Sequence, residues 1–571
     1  MSKKLHLDLF KDASYNSMIK YNQKFPQEDE ILRIIMNDQV DKFIEYIVNN
    51  PINDVYILIP GFAGLSPLQA CCYFGSVNIF NFMISNLNTK ITQEDFQYSL
   101  IGGNADIINE CFKNHSIDEI CMEYIIESHN NTYLENIFEM GLVNLSDINF
   151  ASIISSQNMK AFLLVYEKDK NCIIPWCAAL KPCYAFLQDE NINILARSPD
   201  QWTLLHYATA YNNVELCKHF SGSQDLINER DDKGRSALHF GVINNNKEIV
   251  EILISNGADI NTQDNEGATA LHIAARMNRK EIAKILIAHG SDVNIQDNDP
   301  DGRTPLHYAA EHNCIDVLKV LISNKVNINA KDKNGYSALH IAADCNYRDF
   351  ANLLISNGAE INASDKNGRT ALHISSIRNS IHVGKLLIMS NVDINAKDIY
   401  GQNAIHLAAI HNCKEMIKVL ISHGADPTAK TNLGKIALHL AAGNNSMDII
   451  DDLIMHGSDI NSKDNEGKTA LHEAAIMSTK DVAECLILHG VNINAADNEG
   501  YTALYYALKN GKMEIAELLK SHGAIESVQN TSSNKEEPEN DVLYSYMGLG
   551  VLSLGSYALY KSMSSLFQFV K

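Results

Sequence analysis

The sequence is short of positive charge and of paired cysteines, and each shortage excludes a class of function. Its 571 residues carry 47 Lys and Arg against 69 Asp and Glu, a formal net charge of −22. Nucleic-acid binders need positive charge to follow phosphates, so we expect no DNA or RNA partner. The 12 cysteines include no Cys-x-x-Cys pair, and the chain opens without a secretory signal. Both features favour a reducing, cytosolic setting.

The motifs of the common catalytic sites are also missing. The sequence contains no Gly-x-x-x-x-Gly-Lys phosphate loop, no His-Glu-x-x-His zinc motif, and no kinase or hydrolase signature. Cys172, Cys177 and Cys183 form the nearest thing to a cysteine cluster, but their spacing matches no common zinc pattern. We therefore predict a protein that is not an enzyme and that has no cofactor, metal or small-molecule substrate.

A strict internal period dominates the second half of the chain. Histidine recurs every 33 residues, apart from one step of 35, and a tyrosine takes the tenth place. The series is His206, His239, His272, His307, His340, His373, His406, His439, His472 and Tyr505. Such a period is the signature of a stacked-repeat solenoid. No two of these histidines need approach closer than one repeat spacing, so we interpret them as structural rather than catalytic or metal-binding.

One repeat contains a turn and two helices in order. Asp264-Asn265-Glu266-Gly267 has the composition of a tight turn, and Thr269 stands where a helix needs its first N–H groups capped. Glu281-Ile282-Ala283-Lys284-Ile285-Leu286-Ile287 has apolar residues at helical spacing, and Gly290 follows where the second helix ends. The pattern predicts a turn followed by a helix pair in every repeat.

The repeat motif is most complete at Thr304-Pro305-Leu306-His307-Tyr308-Ala309-Ala310, which resembles the Thr-Pro-Leu-His-x-Ala-Ala motif of ankyrin repeats. The resemblance covers about residues 198–523 and implies about ten repeats in an all-α solenoid with short β-hairpin tips. It also implies that the motif histidine bonds neighbouring loops, and that a partner protein contacts the hairpin tips and the concave face of inner helices.

Residues 1–190 lack these turns but keep a helical rhythm. Asn104, Asn131 and Asn158 are spaced by 27 residues, which predicts helix pairs joined by brief loops. This region resembles the uncharacterised helical domain that precedes the repeats in expanded ankyrin families of some protozoa. Two interpretations remain open, a cap over the exposed end of the repeat stack and a separate binding domain.

The end of the chain changes composition twice. Residues 524–541 are polar and acidic, which predicts a disordered linker. Residues 542–560 then contain no charge, and at about 1.5 Å per residue they approach the roughly 30 Å of a bilayer core. We expect this segment to be a transmembrane tail anchor that leaves the repeats on the cytosolic face of an intracellular membrane. The alternative is an extra helix that docks on the repeats.

Partner binding is expected at repeat positions that the fold does not dictate. The position after the tip glycine includes Arg235, Arg303, Tyr336 and Arg369, and basic residues also precede several tips. This row suggests a partner with an acidic or phosphorylated segment, unless the cations are simply solvated. Tyr and Arg often dominate interface energy, which favours Tyr336 and Arg369 as anchors.

Apolar tips mark a second candidate surface. Ile399, Tyr400 and Leu433 stand where other repeats have Lys, Asn or Glu, and Ile410 and His411 on an inner helix could extend the patch. The main hypothesis is a non-enzymatic protein-interaction scaffold tethered to a membrane. The alternative is a soluble adaptor that recruits targets to a ubiquitin ligase or kinase through its N-terminal domain.

Overall fold

The computed structural model describes residues 30–52, 55–57, 64–145, 148–170, 177–179, 187 and 193–527. These residues form helices joined by turns, without a regular β-strand among them. The candidate anchor 542–560 and the predicted linker beyond residue 527 lie outside these ranges. Within them, no helix is both long enough and apolar enough to cross a membrane.

The chain divides into two compact units. The first holds the chain up to Asn432 together with Asp451–Gly457, and the second holds Leu433–Ile450 and the chain from Ser458 onward. The first unit thus contains the N-terminal helices and the repeats up to Asn432. The second contains most of the remaining repeats.

Short helices in pairs make up the described N-terminal region. They are α1 Glu30–Met36, α2 Val40–Asn49, α3 Pro67–Phe74, α4 Val77–Asn86, α5 Gln93–Gly102, α6 Ala105–Phe112, α7 Glu119–Glu127, α8 Asn131–Glu139, α9 Phe150–Ser156 and α10 Met159–Lys168. The first helix of one pair packs on the first helix of the next, as α3 does on α5 and α5 on α7. The predicted helix pairs are therefore present.

The helices of the repeats that lie in the first unit continue this arrangement. They are α11 Leu204–Ala210, α12 Val214–Phe220, α13 Gln224–Ile227, α14 Ala237–Ile243, α15 Lys247–Ser255, α16 Ala270–Arg276, α17 Lys280–Ala288, α18 Pro305–Glu311, α19 Ile315–Ser323, α20 Ala338–Asp344, α21 Arg348–Ser356, α22 Ala371–Arg378, α23 Ile381–Met389, α24 Ala404–Ile410 and α25 Lys414–Ser422.

The remaining helices follow the same order of inner and outer helix. They are α26 Ala437–Gly443, the 3₁₀ turn Met447–Ile449, α27 Ile450–Met455, α28 Ala470–Met477, α29 Lys480–Leu488, α30 Ala503–Lys509 and α31 Met513–Ser521. In each repeat the inner helix is the one that begins after the Thr, Ser, Asn or Ile cap. It packs on the outer helix of its own repeat, except that α26 packs on the 3₁₀ turn Met447–Ile449.

Local capping explains where the N-terminal helices begin. Ser66 accepts a hydrogen bond from the backbone N–H of Gln69, whose side chain bonds back to Ser66, so α3 starts with a complete capping box. Asn104 and Asn158 cap α6 and α10 with their side chains. Asn131 is instead the first helical residue of α8, and Asn130 occupies the cap position.

The interior lies between the inner and outer helices of successive pairs. Leu271 on α16 and Leu286 on α17 are completely buried, and so is Leu134 on α8 in the N-terminal region. Small residues such as Ala274, also fully buried, let neighbouring helices approach closely. The two regions therefore bury the same kind of apolar core.

The tips are turns rather than the predicted β-hairpins. At one tip the backbone N–H of Asp264 donates to the Ala268 carbonyl, and the Asp264 carboxylate accepts the N–H groups of Glu266 and Ala268. Isolated bridges, such as Lys331 with Ser337, are the only β pairing among the described repeat tips in the first unit. The Asp264 carboxylate accepts N–H groups that the carbonyls of a second strand would accept in a hairpin. The tip therefore forms without pairing between two strands.

Candidate partner-binding surface of the repeats

A backbone ladder fixes each tip on the next one. The N–H of Ile399 donates to the Asn367 carbonyl at 3.0 Å, and the N–H of Asn432 donates to the Tyr400 carbonyl at 3.0 Å. The same bond recurs between earlier tips, as from Asn298 to Glu266. The tips are therefore held in a row before any partner arrives, which lowers the entropy cost of binding.

The predicted apolar tips are exposed. The side chain of Ile399 is 54% exposed and that of Tyr400 is 36% exposed, although their backbones belong to the ladder. The equivalent residues of the preceding tip are Lys366 and Asn367. Leu433, in the other compact unit, is 53% exposed. Apolar side chains therefore face solvent at positions where neighbouring tips have polar ones.

Two residues of the predicted patch lie at the end of α24. Ile410 is half-buried, and His411 is exposed and follows the last helical residue. Burial, and then the charges of Arg369 and Arg378, lower the pKa of His411. The charge of Arg369 thus acts on His411, so this end of the inner helices combines an imidazole, an apolar side chain and a guanidinium group.

Arginines predicted to meet an acidic partner are already paired with carboxylates of this chain. Arg235 is buried and its Nε donates to Asp231 at 2.8 Å. Arg303 is half-buried and its Nη1 donates to Glu311 at 3.0 Å. Whether these two arginines meet an acidic partner stays a prediction, since their first partners are carboxylates of this chain. Each side chain folds back onto the carboxylate of its own repeat, which compensates its burial.

The two residues chosen as leading anchors are only partly available. The Nε of Arg369 lies 3.6 Å from the Asp398 carboxylate, which is an ion pair longer than a hydrogen bond. Tyr336 is half-buried with its ring 5.4 Å from that of His340, and burial raises the pKa of Tyr336 to about 12. Whether either residue binds a partner stays a prediction.

Basic residues that precede the tips have a structural role that was missed in the sequence. Their side chains donate to a backbone carbonyl of the following repeat, as Arg230 does to Gln263 and Lys331 to Ser364, both at 2.7 Å. Lys397 and Lys463 make the same contact one repeat further on. The signal in the sequence was the 33-residue recurrence of long donor side chains, which include glutamines as well as cations.

The motif histidines join neighbouring loops. His272 is fully buried, its Nδ1 accepts the backbone N–H of Thr269 at 3.1 Å, and its Nε2 lies 3.2 Å from the Arg303 carbonyl of the next repeat. Nδ1 is an acceptor, so Nε2 must carry the proton and donate it. Burial lowers the pKa of His206, His239 and His272 to about 4, which keeps the rings neutral.

A second inter-repeat contact was also missed. The Asn261 side chain donates to the Gly290 carbonyl at 3.3 Å and accepts the N–H of Asp292 at 3.0 Å. Asn228, Asn329 and Asn494 make the equivalent pair of bonds. The periodic asparagine three to six residues before each turn was the available signal.

Repeated inner and outer helices, capped turns and loop-to-loop histidines define a helical-repeat protein of the kind that presents surfaces to other proteins. The family described as ankyrin repeats (3 copies) matches residues 176–264, 205–297, 292–365, 339–431 and 438–530. The chain belongs to the ankyrin repeat family. A domain of unknown function (DUF3447) matches residues 87–166, and comparison with curated proteins gave no match.

Proposed function

We propose that the repeats bind a protein partner at the surface formed by the exposed tip residues Ile399 and Tyr400 and the inner-helix residues Ile410 and His411, and that binding involves no catalysis. Ankyrin repeats are protein-interaction modules, which supports a protein as the ligand. The single observation that carries the site is the exposure of Ile399 and Tyr400 on a tip whose backbone is fully bonded to its neighbours.

The physical case rests on what the surface offers a partner. Burying apolar side chains is favourable by about 25 cal/mol per Å² of area, and a tyrosine adds a hydroxyl group for a hydrogen bond. The backbone N–H of Ile399 and the carbonyl of Tyr400 are already bonded, so a partner would contact side chains rather than the backbone. Arg369, near His411, adds one guanidinium group that can bond a carbonyl or carboxylate of the partner.

A matched pair of tip variants tests this surface. Ile399→Ser with Tyr400→Ser should remove partners from proximity labelling, whereas Lys366→Ser with Asn367→Ser at the preceding tip should keep them. Both variants should retain the thermal unfolding of the wild type, because these side chains are exposed. Leu433→Ser is tested separately, since Leu433 belongs to the other compact unit. Equal labelling by both double variants would refute the site.

The proposal includes attachment to the cytosolic face of an intracellular membrane through residues 542–560. It is supported by the sequence alone, through a run of 19 uncharged residues. Deletion of residues 542–571 should move the protein from the carbonate-resistant membrane pellet to the supernatant. A full-length protein that stays in the supernatant would instead favour the soluble adaptor that recruits targets to a ubiquitin ligase or kinase through its N-terminal domain.

A further inference from the structure

We propose that the N-terminal helix pairs carry a second binding surface, on which Tyr98 and Tyr124 with their neighbouring carboxylates bind a basic peptide segment of a partner protein. This tyrosine–carboxylate face consists of Glu94 and Tyr98 on α5 and of Glu123, Tyr124 and Glu127 on α7. It lies on other helices than the tip surface, so it does not depend on the proposed function of the repeats.

The two tyrosines form one aromatic platform across two helices. Their ring centroids are 6.2 Å apart with an interplanar angle of 25°, and both side chains are half-buried. Tyr98 is four residues after Glu94, and Tyr124 lies between Glu123 and Glu127, so the acidic residues share the outward stripe of each helix. Buried side chains such as Ile125 occupy the opposite stripe of α7.

The carboxylates lie close to the platform. Burial, and then the charges of Glu127, Glu123 and Glu94, raise the pKa of Tyr124. Burial, and then Tyr124 and Glu94, raise the pKa of Tyr98. Negative charge from both helices therefore acts on the same pair of rings.

Neutral side chains, not cations, hold these carboxylates in place. The Gln69 amide donates to Glu94 at 2.9 Å, and the Asn149 amide donates to Glu123 at 3.1 Å. No ion pair to Glu94, Glu123 or Glu127 occurs within the described part of the chain. An amide orients a carboxylate without neutralising it, so the face keeps its full negative charge.

The repeats show the contrasting arrangement. There Glu311 is paired with Arg303, and Glu473 is paired with Lys435 at 2.8 Å, with both partners of the second pair mostly buried. These two glutamates of the repeats are thus neutralised by cations of this chain. The carboxylates of the N-terminal face have no such cation partner among the described residues.

The chemistry selects a basic peptide as the occupant. A Lys or Arg side chain stacks on a tyrosine ring with about 0.5–1 kcal/mol at exposed sites, and adjacent carboxylates add charge pairing. Nucleic acid and anionic lipid are repelled by the same charges. Ile120, on the outward stripe of α7, is 45% exposed and can contact an apolar residue beside the basic one. A peptide that alternates basic and apolar residues therefore fits best.

The test is a fluorescence-anisotropy titration of the full-length protein with a fluorescein-labelled peptide of alternating arginine and leucine. Glu94→Gln with Glu127→Gln should weaken binding about tenfold, and Tyr98→Leu with Tyr124→Leu about fivefold, because each removes one part of the recognition. The charge control, Asp106→Asn with Glu139→Gln on the outer helices α6 and α8, removes the same two charges and should change binding less than twofold.

Three outcomes would overturn the proposal. Equal weakening by the control pair would mean that the peptide senses only the net charge of the protein. Unchanged binding by the tyrosine pair would remove the platform from the site. Displacement of the peptide by millimolar Ca²⁺ at the face would identify a cation site instead. Circular dichroism of each variant checks that it is folded, and the tip variants Ile399→Ser and Tyr400→Ser should bind the peptide as the wild type does.

Discussion

The N-terminal helix pairs and the ankyrin repeats bury similar cores but connect their units differently. In the repeats, neighbouring units are tied by a histidine, an asparagine and a backbone bond between tips, as at His272, Asn261 and Asn298. The described N-terminal pairs are joined by other side-chain bonds, such as Asn130 to the Leu100 carbonyl and Asn158 to the Ile126 carbonyl. Buried apolar side chains therefore pack the helices in both regions, whereas bonds between loops align the units of the repeats.

The difference also affects function. Because the loops of the repeats are aligned by bonds at both sides, side chains such as Ile399 and Tyr400 are presented from a fixed backbone. In the N-terminal region the loops are brief and the outward side chains belong to helices, as Tyr98 and Tyr124 do. We therefore propose the tips as the binding surface of the repeats and a helix face as that of the N-terminal region.

The largest expected difference between the regions is their response to acid. The pKa of His206, His239, His272 and His307 is about 4 in the folded protein, below an ordinary value near 6.5. As pH falls below 6.5 the unfolded chain takes up protons first, so these histidines stabilise the fold fully above about pH 6.5 and progressively less towards pH 4. Each contributes a slope of about 1.4 kcal/mol per pH unit in that window.

Hydrogen exchange measured by mass spectrometry checks this prediction. It is measured between pH 7 and pH 4.5, and the exchange rates are corrected for their intrinsic dependence on pH. Protection should fall in the repeats and persist in α5–α8, where His115 and His129 are only half-buried. An equal loss of protection in both regions would show that the buried histidines do not decide acid stability.

The core is where the two regions should behave alike. Leu286→Ala on α17 and Leu134→Ala on α8 each remove a fully buried side chain from an outer helix. Each should lower the free energy of unfolding by about 2–5 kcal/mol, through lost burial and the cavity that remains. Urea unfolding followed by circular dichroism measures both. A difference of more than about 2 kcal/mol between the variants would mean that the two cores are packed differently.

Much of the fold was predictable because periodic residues report local structure. The turn at Asp264, the cap at Thr269 and the histidine at 272 follow from spacing and side-chain chemistry within a single repeat. The pairing of Arg369 with Asp398 was not predictable, since it joins side chains of two repeats whose separation depends on the helix register. The Tyr98–Tyr124 platform was missed for the same reason, as no motif links two tyrosines 26 residues apart.

A smaller contrast concerns two glycines of one repeat, one at the tip and one after the outer helix. Gly267 and Gly290 have φ of +82° and +97°, which a side chain disfavours by about 1–2 kcal/mol. A Cβ at Gly267 would lie 2.0 Å from the backbone nitrogen of Asn298 on the next tip, whereas a Cβ at Gly290 meets nothing within 4 Å. Gly267→Ala should therefore lower the free energy of unfolding, measured in urea, clearly more than Gly290→Ala does. Equal costs would show that the tips can separate without loss of stability.

The smallest expected effect concerns single lysines at the surface of each region. Lys331 donates to the Ser364 carbonyl of the next repeat at 2.7 Å, whereas Lys160 lies 3.5 Å from Glu135 in an exposed ion pair. Lys331→Met should lower the free energy of unfolding by about 0.5–1.5 kcal/mol, because the Ser364 carbonyl loses its donor. Lys160→Met should lower it by at most about 0.5 kcal/mol.

Thermal unfolding at low and at high salt distinguishes the lysine–carbonyl bond from the ion pair. A bond to a carbonyl should keep most of its contribution in salt, while a surface ion pair is screened. If Lys331→Met costs no more than Lys160→Met, the lysine bonds between tips do not stabilise the stack, and its alignment depends on the histidines, the asparagines and the backbone ladder.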